Sequence, residues 1–310
     1  MKTAFLFPGQ GAQAVGMGAD LFGRYPQAEA LFEQACRIVG YDLKAFCLQG
    51  PEEKLNSTVY SQPAIFVVSA ALLEVLREQK PDLQPDVTAG LSMGEYTALY
   101  AAGLITFEQA LNLVQKRGKA MQEAADASEG SMVSILGLDE EKVRQLCDEA
   151  SQGQLLEPVN FNCPGQIVIS GHIEACKRAA ELAEQFGAMK AVPLAVAGAF
   201  HTAMMDPAAQ QLARALDQCK IRNPGQIQVV ANIDADYYKS AQAIRHGLVK
   251  QLVQPILWQK CMEKLLADGV EEFYEIGPGR VLTGLMKRIH RKTRVTNIST
   301  ADSLGILLSA

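Results

Sequence analysis

The chain has 310 residues, 48% of them hydrophobic, so it can bury the core of one large domain or of two moderate ones. Its net charge of −5 comes from interleaved acidic and basic residues, so we expect neither a nucleic-acid partner nor an anionic membrane surface as a partner. Seven scattered cysteines without a CxxC pair, and four histidines without ligand spacing, predict reduced thiols and no metal site.

The N-terminal segment and the hydropathy pattern bear on location. The apolar run Thr3–Phe7 ends at Pro8, and it is too short for the apolar region of a signal peptide. Charged residues interrupt the apolar segments, and no run approaches the roughly 18 residues expected of a membrane-spanning helix. We therefore expect a cytoplasmic protein.

The first 127 residues predict alternating strands and helices. The expected elements, in chain order, are a strand at Thr3–Phe7, a helix at Gln62–Gln79, a strand at Val87–Gly90, a helix at Met93–Ala102 and a helix from Thr106. Thr106 and Gln109 form a T-x-x-Q capping box at the start of the last helix. This order is typical of an α/β fold.

The middle of the chain has a different rhythm. Ser131–Val196 predicts the order strand, helix, strand, strand, helix, strand, which is typical of a ferredoxin-like unit. Further strands are expected at Gln228–Ala231 and Glu272–Ile276, and a helix at Trp258–Asp268. The predicted fold is thus an α/β-hydrolase-like domain with a parallel sheet, formed by 1–127 and 199–310, with a ferredoxin-like subdomain inserted at 128–198.

Gly90-Leu91-Ser92-Met93-Gly94 fits the motif G-x-S-x-G between a predicted strand and a predicted helix. In this setting a serine is held on a sharp turn with its hydroxyl exposed, and the adjacent helix N-terminus stabilises a developing oxyanion. The motif also occurs by chance in unrelated chains. Its position between strand and helix favours the interpretation of Ser92 as a nucleophile.

A serine nucleophile requires a base within hydrogen-bond reach. Of the four histidines, His201 is the best candidate, because it follows the last strand of the inserted unit, where the chain re-enters the large domain. A histidine in such a loop is also often structural. Arg117 lies at the margin of an apolar helix face, where it would either meet an anion or extend its charged end into water.

Six motifs together carry a resemblance to a known family. They are FPGQGAQ (Phe7–Gln13), GLSMGE (Gly90–Glu95), QKRG (Gln115–Gly118), VNFNCPGQIVISG (Val159–Gly171), GAFH (Gly198–His201) and EIGPGRVLTGL (Glu275–Leu285). Their order and spacing resemble those of malonyl-CoA:acyl carrier protein transacylases, over essentially the whole chain. Six motifs in register are far more specific than any one of them.

The resemblance implies a role for each matching position. Ser92 would take the acyl group, His201 would be its general base, and the backbone N–H groups of Gln10 and Met93 would form the oxyanion hole. Arg117 would bind the free carboxylate of the malonyl group. The backbone carbonyl of Gln251 would orient the histidine in place of an aspartate.

Two positions bear on acyl selectivity. Leu91 stands where the family usually has histidine, which removes a polar group next to the nucleophile. GAFH is similar to the HAFH-type signature of malonyl-selecting domains, in which Phe200 would crowd an α-methyl branch. The resemblance therefore favours malonyl over methylmalonyl.

The resemblance also implies a reaction and its partners. Malonyl would pass from malonyl-CoA through Ser92 to the phosphopantetheine thiol of a holo acyl carrier protein, with no cofactor besides the CoA substrate and with the enzyme as a monomer. The carrier protein could belong to fatty acid or polyketide synthesis. Two alternatives remain open, an acyl hydrolase that clears carrier proteins and a non-catalytic module that docks on carriers.

Overall fold

Two separate sheets organise the chain, for which a computed structural model describes residues 1–309. The strands are β1 Lys2–Phe7, β2 Val87–Gly90, β3 Gly130–Leu136, β4 Leu156–Cys163, β5 Gln166–His172, β6 Lys190–Pro193, β7 Gln228–Val229, β8 Val270–Ile276 and β9 Val295–Ile298. The helices are α1 Pro26–Val39, α2 Leu43–Gln49, α3 Glu52–Asn56, α4 Thr58–Gln79, α5 Gly94–Ala101, α6 Phe107–Asp126, α7 Glu140–Ser151, α8 Ile173–Leu182, α9 Asp206–Asp217, α10 Ala241–Lys250, α11 Trp258–Ala267, α12 Val281–Ile289 and α13 Ala301–Ser309.

The larger sheet is parallel throughout, with the strand order β7-β2-β1-β8-β9. Residues 4–7 of β1 and all four residues of β2 are buried, as expected for strands that are covered on both faces of a parallel sheet. The carboxyl ends of the adjacent strands β1 and β2 lie at one edge, where α/β folds place ligands. The turn with Gln10 follows β1, and Ser92 follows β2.

The central helix of the larger domain is α4. It begins at Thr58, four residues before the predicted start, and includes Pro63 in its second turn. Among residues 1–309 it is the one helix long and apolar enough to cross a membrane, and 83% of its most apolar window is buried inside the fold. Its apolar character on all sides is that of a helix surrounded by protein.

The smaller sheet is antiparallel, with the order β4-β5-β3-β6, and helices α7 and α8 pack on it. It has its own apolar cluster, which includes Ile135, Leu146 and Ile169. The predicted α/β class, with a parallel sheet and a separate βαββαβ unit, is confirmed. The boundaries 127/128 and 198/199 stay predictions.

Several predicted elements differ in length from those in the structure. Strand β6 covers Lys190–Pro193 rather than 189–196, because the chain turns after Pro193, where the amide of Val196 donates to the carbonyl of Leu194 (2.9 Å). Helix α8 ends at Leu182 rather than at residue 186. The capping box at Thr106 and Gln109 is present, with both of its hydrogen bonds.

Candidate active site

Ser92 lies on a sharp turn between β2 and α5. Its φ of 50° falls in the left-handed region that non-glycine residues rarely adopt. A Cβ on Gly90 would lie 1.9 Å from the carbonyl carbon of Gly94, and one on Gly94 would lie 2.2 Å from the carbonyl oxygen of Phe7. The two glycines of the motif therefore allow the backbone approach on which the turn depends.

Hydrogen bonds connect Ser92 to His201 and His201 to Gln251. Ser92 Oγ lies 3.1 Å from His201 Nε2, and His201 Nδ1 lies 2.6 Å from the backbone oxygen of Gln251. The carbonyl can only accept, so Nδ1 carries the proton and Nε2 has the free lone pair that faces the serine hydroxyl. Burial, and to a smaller extent the charge of Arg117, lowers the pKa of His201 to about 3. The imidazole is therefore neutral at pH 7.

Arg117 is fully buried, with 1% of its surface exposed, rather than at the margin of the apolar face of α6. Its guanidinium donates to Ser92 Oγ (3.0 Å), to Gln62 Oε1 (2.9 Å) and to Gln251 Oε1 (3.0 Å). Within residues 1–309 it forms no salt bridge, and its Nε has no hydrogen-bond partner. A buried cation next to the serine thus has no carboxylate in direct contact, and this is the feature expected of a site for an anionic substrate.

The turn that contains Gln10 packs directly on the serine turn. A Cβ on Gly9 would lie 2.3 Å from the backbone oxygen of Leu91, so glycine is required for this contact. Within the described residues, neither the amide of Gln10 nor that of Met93 donates a hydrogen bond. Two unpaired N–H groups in turns that pack against each other at the serine are what an oxyanion hole requires.

A cavity of about 470 Å³ opens beside Ser92, between the two sheets. Leu91 and Phe200, the residues predicted to affect selectivity, both line it, as do Gln10, Arg117 and His201. Met93 does not line it, and its side chain is buried in the core. Gln251 does not line it either, so six of the eight predicted site residues surround one cavity.

Three residues of the site were not predicted. Gln62 accepts from Arg117, Asn232 accepts from the amide of Ser92 through Oδ1 (2.7 Å), and Glu95 is a fully buried carboxyl beneath the serine. Glu95 belongs to the motif GLSMGE, and its place in the first turn of the helix after the nucleophile could have identified it as a site residue from the sequence. Gln62 and Asn232 are ordinary polar residues in sequence and carry no such signal.

Within residues 1–309, no group of three or more His, Cys, Asp or Glu side chains is placed to hold a metal ion. The fold and the site define an enzyme that moves acyl groups through a serine. Comparison with known proteins gives the family: the acyl transferase domain matches residues 4–308. The chain belongs to this family.

The individual relatives are more specific. The chain is 42% identical to the malonyl CoA-acyl carrier protein transacylase of Bacillus subtilis over 308 residues, which are 99% of this chain and 96% of the relative. It is 48% identical to the enzyme of the same name from Escherichia coli K12 over 288 residues, 93% of each chain. A solved malonyl-transacylase in complex with a type II PKS acyl-carrier protein has a TM-score of 0.96 and 46% identity, with 100% and 99% of the two chains covered. The resemblance found in the sequence is confirmed.

Proposed function

We propose that this chain transfers the malonyl group of malonyl-CoA to the phosphopantetheine thiol of an acyl carrier protein. The relatives of that name, which cover nearly the whole chain, support the reaction. The observation that carries the substrate assignment is the buried guanidinium of Arg117, 3.0 Å from the hydroxyl of Ser92 and without a carboxylate partner.

The chemistry of malonyl fits this arrangement. Only one methylene separates its thioester carbonyl from its free carboxylate, so a carbonyl held at Ser92 brings the carboxylate within reach of Arg117. The planar guanidinium can pair with both carboxylate oxygens. An uncharged acyl chain would leave the buried cation unpaired, so nothing in the site favours a hydrolase of ordinary acyl groups.

In the proposed first half-reaction, Ser92 Oγ forms a bond to the thioester carbon while its proton passes to His201 Nε2. The amides of Gln10 and Met93 donate to the carbonyl oxygen as it becomes negative. The C–S bond then breaks, and the CoA sulfur leaves with the proton from His201. The backbone oxygen of Gln251 keeps the proton of His201 on Nδ1 and stabilises the imidazolium that forms for a short time.

The second half-reaction reverses these steps with a different thiol. His201 takes the proton of the phosphopantetheine thiol, and the phosphopantetheine sulfur attacks the carbonyl carbon of the malonyl-Ser92 ester. The bond between that carbon and Ser92 Oγ then breaks, and His201 returns the proton to Ser92 Oγ. The partner is inferred from the solved complex of a relative with a carrier protein. We infer a cytoplasmic monomer without a cofactor, whose carrier belongs to either fatty acid or polyketide synthesis.

The test is intact-protein mass spectrometry after brief incubation with malonyl-CoA, acetyl-CoA or methylmalonyl-CoA, followed by addition of holo acyl carrier protein. We expect a malonyl adduct on the wild type that moves to the carrier, and none on Ser92→Ala. We also expect malonyl to be preferred over the other two groups. An adduct that decays to free acid without reaching a carrier, or one that forms equally on Ser92→Ala, would refute the proposal.

A further inference from the structure

Glu95 is a fully buried carboxyl that the proposed reaction does not use. It lies in the first turn of α5, three residues after the nucleophile. It has no salt bridge within the described chain, and a buried carboxyl is costly unless hydrogen bonds compensate it. Its partners therefore indicate why it is there.

Three groups donate to this carboxyl. They are the hydroxyl of Tyr238, the side-chain amide of Gln251 (2.7 Å) and the backbone amide of Asn232 (3.2 Å). An amide nitrogen can only donate, so this arrangement suits an ionised carboxylate, which only accepts. The three donors thus favour the ionised form of Glu95, which they enclose.

Two of the three donors also hold the serine turn. The side-chain nitrogen of Gln251 donates to the backbone oxygen of Ser92 (3.0 Å). The side chain of Asn232 accepts from the amide of Ser92 (2.7 Å) and donates to the carbonyl of Gly90 (2.8 Å). The peptide groups on both sides of a strained residue are therefore connected to Glu95 through a single intermediate.

The side-chain amide of Gln251 lies between Glu95 and Arg117, and its orientation decides which of its two ends faces each of them. Its nitrogen faces Glu95, so its oxygen faces Arg117 Nη2 (3.0 Å). In the opposite orientation, an NH₂ group would face the guanidinium, and two donors would meet without an acceptor. Glu95 is the acidic group that accepts from the amide nitrogen, at 2.7 Å, and it favours the same orientation as the backbone oxygen of Ser92 and the guanidinium of Arg117 do.

We propose that Glu95 is a positioning residue that fixes the side-chain amide of Gln251 so that Arg117 is held ready for the substrate carboxylate. This inference rests on the proposed function, since it concerns the malonyl selectivity of that same site. Glu95 touches neither the nucleophile's oxygen nor the guanidinium, and it acts through the amide between them.

The charge state of Glu95 adds a second property that can be measured. Burial raises its pKa to about 7, although its three donors and Arg117 act in the opposite direction. The other titratable groups that interact with it are Tyr96, Tyr238 and Cys261, and burial raises the pKa of each of them well above neutrality. Burial holds the pKa of His201 well below this range. Protonation of Glu95 is thus the change in charge expected at the site near pH 7.

The experiment compares Glu95→Gln with a matched control, Glu275→Gln. Glu275 is equally buried, on β8, but its carboxylate accepts from Thr283, Asn297 and the amide of Leu282 rather than from the site. The measurement is kcat/KM for adduct formation with malonyl-CoA and with acetyl-CoA. We expect the malonyl to acetyl ratio to fall at least tenfold in Glu95→Gln and to stay within threefold of wild type in Glu275→Gln.

A ratio unchanged in a folded Glu95→Gln protein overturns the inference, as does an equal fall in both variants. If the wild type forms no malonyl adduct, the proposed function itself fails, so the two failures are distinct. Should Glu95→Gln not fold, Tyr238→Phe decides, because it removes one donor and raises the pKa of the carboxyl. In the pH profile of kcat/KM for malonyl-CoA, the fall on the acid side should then move to higher pH. A profile identical to that of the wild type refutes the positioning role of Glu95.

Discussion

Removal of the guanidinium of Arg117 should change which acyl group the enzyme accepts. In Arg117→Ala, the malonyl carboxylate would enter a buried site without its cation. Loss of one partner from a buried charge pair costs about 3–5 kcal/mol. At about 1.4 kcal/mol for each tenfold change, kcat/KM for malonyl should fall roughly 10²- to 10⁴-fold. An acetyl group has no carboxylate to lose, so its kcat/KM should stay the same or rise.

The assay is the rate of adduct formation with malonyl-CoA and acetyl-CoA, followed by intact mass. Arg117→Ala also leaves the side-chain oxygens of Gln62 and Gln251 without a donor, so stability must be measured alongside activity. Arg117→Met fills more of the space and separates loss of charge from loss of packing. Lys116→Ala is the matched control, since it removes one positive charge from the exposed side of the same helix.

Two outcomes would refute this reasoning. If Arg117→Met keeps the malonyl preference of the wild type, the guanidinium does not select the substrate. If malonyl and acetyl rates fall by the same factor in both variants, Arg117 supports the nucleophile rather than the carboxylate. The 3.0 Å contact with Ser92 Oγ makes this second outcome a real alternative.

Two further predictions test the surroundings of the serine. Gly9→Ala should slow adduct formation by roughly 10²- to 10³-fold without unfolding the protein, because its Cβ would push the turn of Gln10 away from the oxyanion position. The control is Gly225→Ala, whose Cβ meets no atom within 4 Å and which should leave the rate unchanged. Equal rates in the two variants would contradict the assignment of the Gln10 amide to the oxyanion hole. The neutral, buried His201 binds no proton until about pH 3, whereas in the unfolded chain the same histidine binds one below its ordinary pKa of about 6.5. The unfolded state therefore binds more protons between these two values, and His201 should make the free energy of unfolding fall as the pH drops from about 6.5 to about 3. Urea unfolding at several pH values should show a weaker dependence for His201→Gln, and an identical slope would argue against a neutral buried imidazole.

The sequence by itself determined the local features of this protein. The run Val87–Gly90 and the glycines around Ser92 predict a strand and a sharp turn, because hydrophobic pattern and backbone freedom are properties of neighbouring residues. The capping box of α6 and the βαββαβ order of the inserted unit are local in the same sense. The resemblance supplied the roles of Gln10 and Gln251, which no local pattern indicates.

Tertiary structure alone decided how the site is charged and held together. Arg117 is buried rather than half-exposed because Gln62 and Gln251, from distant parts of the chain, satisfy two of its N–H groups. The carboxyl of Glu95 likewise depends on donors about 140 to 160 residues away in sequence. Hydrogen bonds of this kind depend on distance and direction in space, and a polar residue read in sequence gives no sign of the partner that will compensate its burial.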